Sequence, residues 1–228
     1  MARFIPTLLI SLFLLIPVES RAQSLDYPGE SRVSAIVQKM ESSYQTVKDY
    51  SCEVEQVFYK DGVEDQRYRF KFYFKRGKKI RVDFAHPYSS LTIFYHEGDK
   101  DATVMPLRFL PALRFRFSIN SPKIKTIAGQ RVDQTDMGYF IQFLSKNLKT
   151  IEQKKDEYRE DEEQVKFLFW ATDYIDHKHS EKYRISVSKK IWLPLRIERY
   201  NLEDRLIETT DIKNYVINGH LEDNFFQP

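Results

Sequence analysis

The sequence predicts a mainly β fold of the α+β kind. About ten antiparallel strands form one strongly curved sheet, and two helices cover its concave face. Three observations carry this prediction. Most of the chain falls into short segments that alternate apolar and polar residues, the period of a half-buried strand. Only two stretches show the three-to-four-residue apolar spacing of a helix. Fourteen Tyr and seventeen Phe against seven Gly favour long regular strands.

The clearest strand is Arg67-Tyr68-Arg69-Phe70-Lys71-Phe72-Tyr73-Phe74-Lys75. Its period of two sends Tyr68, Phe70, Phe72 and Phe74 to one face. Arg67, Arg69, Lys71 and Lys75 go to the other, with Tyr73 the one aromatic among them. A second segment repeats the design, with Leu107, Phe109, Leu113, Phe115, Phe117 and Ile119 set against Arg108, Arg114 and Arg116. Such strands give a sheet one apolar face and one wet, positive face.

The elements follow in order. Arg3, the apolar run from Phe4 to Val18 and the small residues around Ser20-Arg21-Ala22 read as a cleaved signal peptide over residues 1–22. The run is short for a membrane span. The expected mature chain, 23–228, is a single secreted domain. Ser31 can cap a first helix running to about Val47, with Val33, Ile36, Val37, Met40, Tyr44 and Val47 on one stripe. Asp49 to Tyr59 is the first strand, with Tyr50, Cys52, Val54 and Phe58 on its apolar face and Gln56 the odd member. Lys60-Asp61-Gly62 turns it into the aromatic–basic strand. Glu53 and Glu55 then lie opposite Arg69 and Lys71.

Lys79–Phe84 follows, with Ile80, Val82 and Phe84 inward and Lys79, Arg81 and Asp83 outward. Leu91–His96 and Asp101–Met105 complete a five-strand meander. Pro106–Pro122 is a strand, or a strand behind a loop. Asp133 or Thr135 caps a second helix to about Leu148, with Met137, Phe140, Ile141, Leu144 and Leu148 on one side. Residues 149–163 are strongly charged and read as a solvated loop or a frayed helix end. Four strands end the chain: Val165–Tyr174, Lys182–Ser188, Leu193–Tyr200 and Arg205–Ile217. Val165–Ala171 is apolar on both faces, which predicts a central strand. So many strands must curl into an open or closed barrel.

Charge and motifs narrow the function. Without residues 1–22 the chain has 34 basic and 32 acidic residues, so it carries no global nucleic-acid signature. Base stacking also needs aromatics and cations on one face. Here they lie on opposite faces, and no nucleic-acid partner is expected. Asp173, Asp176, His177 and His179 are close in sequence but read as a polar turn. Cys52, the only cysteine, reads as a buried structural thiol. No nucleophile motif or metal-ligand spacing is present, so no enzyme, catalytic residue, metal or cofactor is expected.

Several segments resemble the lipoprotein-carrier superfamily of Gram-negative bacteria, which contains LolA, LolB and RseB. More closely, they resemble a secreted family of unknown function within that fold. They are Tyr50-Ser51-Cys52-Glu53-Val54-Glu55-Gln56, residues 74–84, residues 129–136, Leu193-Pro194-Leu195-Arg196-Ile197 and Leu221-Glu222-Asp223-Asn224-Phe225. The resemblance implies an incomplete β-barrel whose cavity takes lipid or lipoprotein acyl chains. Carried over, Tyr68, Phe70, Phe72, Phe74, Ile80, Val82 and Phe84 would line that cavity, faced by Val37 and Met40 of the first helix. The implied role is a non-enzymatic carrier or sensor in the envelope. Envelope membrane proteins or an anionic membrane surface are further expected contacts. The alternative expectation is a structural or interaction module with a fully plugged barrel. A continuous apolar cavity of at least about 300 Å³ separates the two.

Overall fold

The computed structural model describes residues 32–126, 129–153, 158–172 and 180–228. The segment read as a signal peptide and the Asp173–His179 cluster lie outside them. The first helix, α1, is Arg32–Thr46. Six strands follow: β1 Asp49–Lys60, β2 Val63–Lys75, β3 Lys79–His86, β4 Thr92–Tyr95, β5 Asp101–Met105 and β6 Phe115–Ser118. A 3-10 turn, Val132–Gln134, leads into α2, Met137–Gln153. The second run of strands is β7 Tyr158–Glu160, β8 Gln164–Thr172, β9 Ser180–Ser188, β10 Pro194–Tyr200 and β11 Leu206–Ile217. A last 3-10 turn spans Asp223–Phe226.

All eleven strands among the described residues form one antiparallel sheet in the order β6-β5-β4-β3-β2-β1-β11-β10-β9-β8-β7. Two meanders are thus joined where the first strand pairs with the last. β6 and β7 stay at opposite edges, so the curved sheet is an incomplete barrel. The β1–β2 hairpin turns on Asp61 and Gly62, both at positive φ, the geometry of a tight two-residue turn. Its register sets Glu53 against Lys71 and Glu55 against Arg69. The ion pairs Lys71–Glu53 (3.3 Å) and Arg69–Glu55 (3.5 Å) form across it as the alternation predicted.

Of the two arrangements expected for Pro106–Pro122, the strand behind a loop is found: Leu110 and Leu113 bond back to the carbonyls of Leu107 and Leu110 in successive turns around Pro111, so 107–114 are loop. Only Phe115–Ser118 pairs with β5. Other elements differ from the sequence reading. In the charged segment, α2 runs on to Gln153 and Tyr158–Glu160 pairs with β8. β8 is therefore second from an edge, not central. The cap of α2 is Asp136, whose Oδ1 accepts the Tyr139 N–H at 3.2 Å. Gly138 in the first turn is needed for close approach: a Cβ there would lie 2.6 Å from Cε1 of Tyr44 on α1.

The outer face is not wet throughout. The C-terminal turn covers part of β2–β4, with Phe226 fully buried and the Phe225 ring 4.8 Å from that of Tyr73. The Arg81 guanidinium lies 4.2 Å from the Phe225 ring centre and donates to Asp83 at 2.9 and 3.0 Å. Asp83, expected outward, is buried there and also accepts from Thr92.

The apolar interior has two parts. In the first, Ile36, Val37 and Met40 of α1 and Phe140, Ile141, Phe143 and Leu144 of α2 pack on the inner face of β8–β10. The second is built on β1–β5, closed at one end by Val47, Val132 and Met137.

Candidate ligand-binding site

The second part of the interior is not filled. A cavity of about 840 Å³ lies between the inner faces of β1–β6, β10 and β11 and the connection that leads to α2. The barrel is therefore not fully plugged, and the volume lies well within the range of small-molecule sites. Its sheet wall carries Val54, Phe72, Val82, Ile93, Val104, Ile197 and Ile212. Tyr68, Phe70 and Phe84, all half-buried, continue this wall toward the exposed Tyr88 and Phe115. The facing wall is Pro122–Thr126, Gly129, Gln130, Val132 and Met137. Hydrogen bonds fix this wall: Thr126 N–H to the Gln130 carbonyl (3.0 Å), Gln130 N–H to Thr126 Oγ1 (3.0 Å), and Gln130 Nε2 to the Gln134 carbonyl (2.9 Å).

Of the nine residues expected at a cavity, Tyr68, Phe70, Phe72, Val82 and Phe84 lie in the lining. Phe74 and Ile80 are buried at the other end of the same hairpin. There the Tyr44 and Tyr50 rings sit 6.1 and 5.2 Å from Phe74 and leave no space. Val37 and Met40 are fully buried in the filled part of the interior, because α1 packs toward β8–β10. The structure thus divides the inner aromatic row by position along the strand.

Polar groups occupy two places in the lining. Gln56 and Thr210 mark one end. Gln56 Nε2 donates to Glu208 Oε1 at 2.7 Å, and Thr210 Oγ1 donates to the same oxygen at 3.2 Å. Behind them the buried Arg199 pairs with Glu208 at 2.5 Å and Glu181 at 2.8 Å. Two carboxylates against one guanidinium are an expensive burial, which the amide and hydroxyl donors offset. Gln56 stood out in the sequence as a polar residue on an apolar face. The matching signal in the later strands is Arg199, two residues from inward Ile197, and the alternating Glu208 and Thr210.

The second polar place is Asp136 at the start of α2, buried at 4% exposure. Its Oδ1 also accepts from Tyr44 at 3.2 Å, and Lys78 Nζ lies 3.5 Å from Oδ2. Burial and the Asp136 charge push the Tyr44 hydroxyl far above the ordinary tyrosine range. Tyr50 accepts the Met137 N–H at 3.1 Å, and burial raises its pKa too. These groups anchor α2. The lining contains no His, Cys or Ser, and among the described residues no group of three His, Cys, Asp or Glu could hold a metal ion. Cys52 is buried, and that burial pushes its thiol well up.

No protein-family model matches the sequence, and no curated protein matches it. Solved structures do. A DUF1329 family protein from Desulfovibrio piger is 17% identical, with 85% of this chain and 95% of that chain covered and a TM-score of 0.43. A LolA superfamily protein from Nitrosomonas europaea is 13% identical, covering 87% and 99%, at 0.40. The lipoprotein LppX from Mycobacterium tuberculosis is 6% identical, covering 83% and 97%, at 0.45.

Proposed function

We propose that this protein is a non-enzymatic envelope binding protein that holds one acyl chain of a lipid or lipoprotein in its cavity. In this reading residues 1–22 are cleaved on export and residues 23–228 act in the periplasm as a carrier or sensor. The observation that carries it is the 840 Å³ cavity walled by apolar side chains on the sheet. Roughly fourteen methylenes at about 0.8 kcal/mol each give about 11 kcal/mol on transfer from water. Loss of about 4 kcal/mol of ligand freedom leaves about 7 kcal/mol, the micromolar range. Val54, Phe72 and Ile93 would hold the chain, and Tyr68, Phe70 and Phe84 would flank its entry.

Titration of the purified protein with a fluorescent fatty acid tests this. Saturable micromolar binding, displaced by an unlabelled long-chain fatty acid, is expected. A probe that stays unbound at all concentrations rejects the reading.

A further inference from the structure

The loop joining β5 to β6 and the first residue of β6 carry three exposed large apolar side chains, Phe109 the most exposed among the described residues. Phe109 is 76% exposed, Leu110 46% and Phe115 48%. The loop is nevertheless anchored. Arg108 donates to the carbonyls of Phe84 (3.1 Å) and Ser89 (2.7 Å), and Arg114 donates to the Pro228 carbonyl at 3.3 Å. The loop hangs between Pro106 and Phe115, both in the cavity lining, and lies beside Tyr88, which is 55% exposed. Its apolar tip therefore stands at the open side of the cavity.

The charge around it is equally one-sided. Residues 102–132 contain no Asp or Glu but six cations: Arg108, Arg114, Arg116, Lys123, Lys125 and Arg131. The net +3 of the chain is thus the balance of +6 here and −3 elsewhere. Among the six, Arg108 pairs with Asp83 (3.8 Å), Arg116 with Asp101 (3.7 Å) and Arg131 with Asp133, while Arg114, Lys123 and Lys125 have no carboxylate partner among the described residues. On the outer sheet face Arg67, Arg69, Lys71, Lys75 and Lys79 are all matched, by Glu53, Glu55, Glu64 and Asp223.

We infer that the 107–114 loop docks the protein onto an anionic phospholipid bilayer, with Phe109 and Leu110 entering the headgroup boundary and the cavity mouth facing the leaflet. Apolar tips flanked by Arg and Lys suit that interface, where each basic residue near the surface adds attraction. A bilayer accepts a protruding loop without a matching pocket, which an acidic protein partner would have to supply. The inference rests on the acyl-chain reading of the cavity, to which it adds the source of the ligand.

Flotation of the full chain, as its host processes it, with vesicles tests the docking. One set is an equimolar mixture of phosphatidylglycerol and phosphatidylcholine, and the other is phosphatidylcholine alone. Binding to the anionic vesicles and little to the neutral ones is expected. The double variant Phe109→Ser, Leu110→Ser should lose at least about tenfold in affinity, since each side chain leaves an apolar contact. Arg114→Glu with Arg116→Glu should lose a similar factor, and added salt should weaken the wild type toward it. Both variants should bind the fluorescent fatty acid as the wild type does. Equal binding to both vesicle types, or variants that float like the wild type, overturns the inference. Binding to neither overturns it in favour of an acidic protein partner. Vesicle failure with intact fatty-acid binding defeats the docking alone. Vesicle binding without fatty-acid binding defeats the cavity reading alone.

Discussion

The inner faces of β8–β10 and of β2–β6 are built from the same kinds of side chain, yet only the first is filled. Over β8–β10, Phe143 from α2 sits 5.3 Å from the Tyr183 ring, and Phe169 stacks on Tyr183 at 5.4 Å. Phe167, Phe169 and Tyr183 have essentially no exposed surface. Over β2–β6, Phe70 and Phe84 also meet at 5.4 Å, but both stay half-exposed and Tyr88 beyond them is exposed. Ring-to-ring spacing is therefore similar in the two regions. The difference is what lies above the rings: two helices in one case, a short connection and a cavity in the other. Alternation along a strand decides which face a side chain takes. It does not decide whether that face is covered by protein.

The largest effect expected from this contrast is a matched pair of substitutions. Phe169→Glu places a carboxylate among Phe143, Phe167 and Tyr183 with no partner, and should cost about 4 kcal/mol or more. Phe72→Glu puts the same charge in the cavity wall, where the head can turn into open space. It should cost about 2 kcal/mol or less and abolish fatty-acid binding, because a charge within the apolar wall must then be desolvated by the ligand. Denaturant unfolding of both variants measures the gap. Equal destabilisation would mean that the cavity wall is packed as tightly as the filled half.

A smaller effect concerns the outer side of the open half, where the C-terminal turn is held by Asp223 against Lys75 (2.6 Å) and Lys79 (2.9 Å). Hydrogen bonds from the two ammonium groups hold the Asp223 carboxyl down at about 2. Its folded pKa is thus below the value of about 3.9 for a free aspartate. The stabilisation is present above about pH 4 and is lost as pH falls through about 2. Hydrogen exchange of the 222–226 amides should therefore quicken across that window, and Asp223→Asn should remove the step. An unchanged step in the variant would assign it to another carboxylate.

Much of the fold could be read from alternation alone. β1, β5 and β9–β11 fall within a residue or two of their expected bounds, because clear turn residues flank them. Three features were hidden for physical reasons. The alternation of 107–119 runs through Pro111 without a break, so the sequence leaves strand and loop both open there until the turns are seen. β7 carries Arg159 and Glu160 and is an exposed edge, so composition gives no signal for it. The pairing of β1 with β11 joins the first and last strands in chain order at the middle of the sheet, which no local pattern records. For the site, the face of each aromatic was legible, but its depth along the strand was not. Phe74 and Phe70 look alike in sequence and differ only in what Tyr44 and Tyr50 cover.

Native mass spectrometry of protein purified without denaturant from envelope fractions reads the occupancy of the cavity. A fraction of molecules carrying one lipid-sized adduct, absent in Phe72→Glu, is expected. A uniformly bare protein that also fails to take up fatty acid would contradict the acyl-chain reading of the cavity.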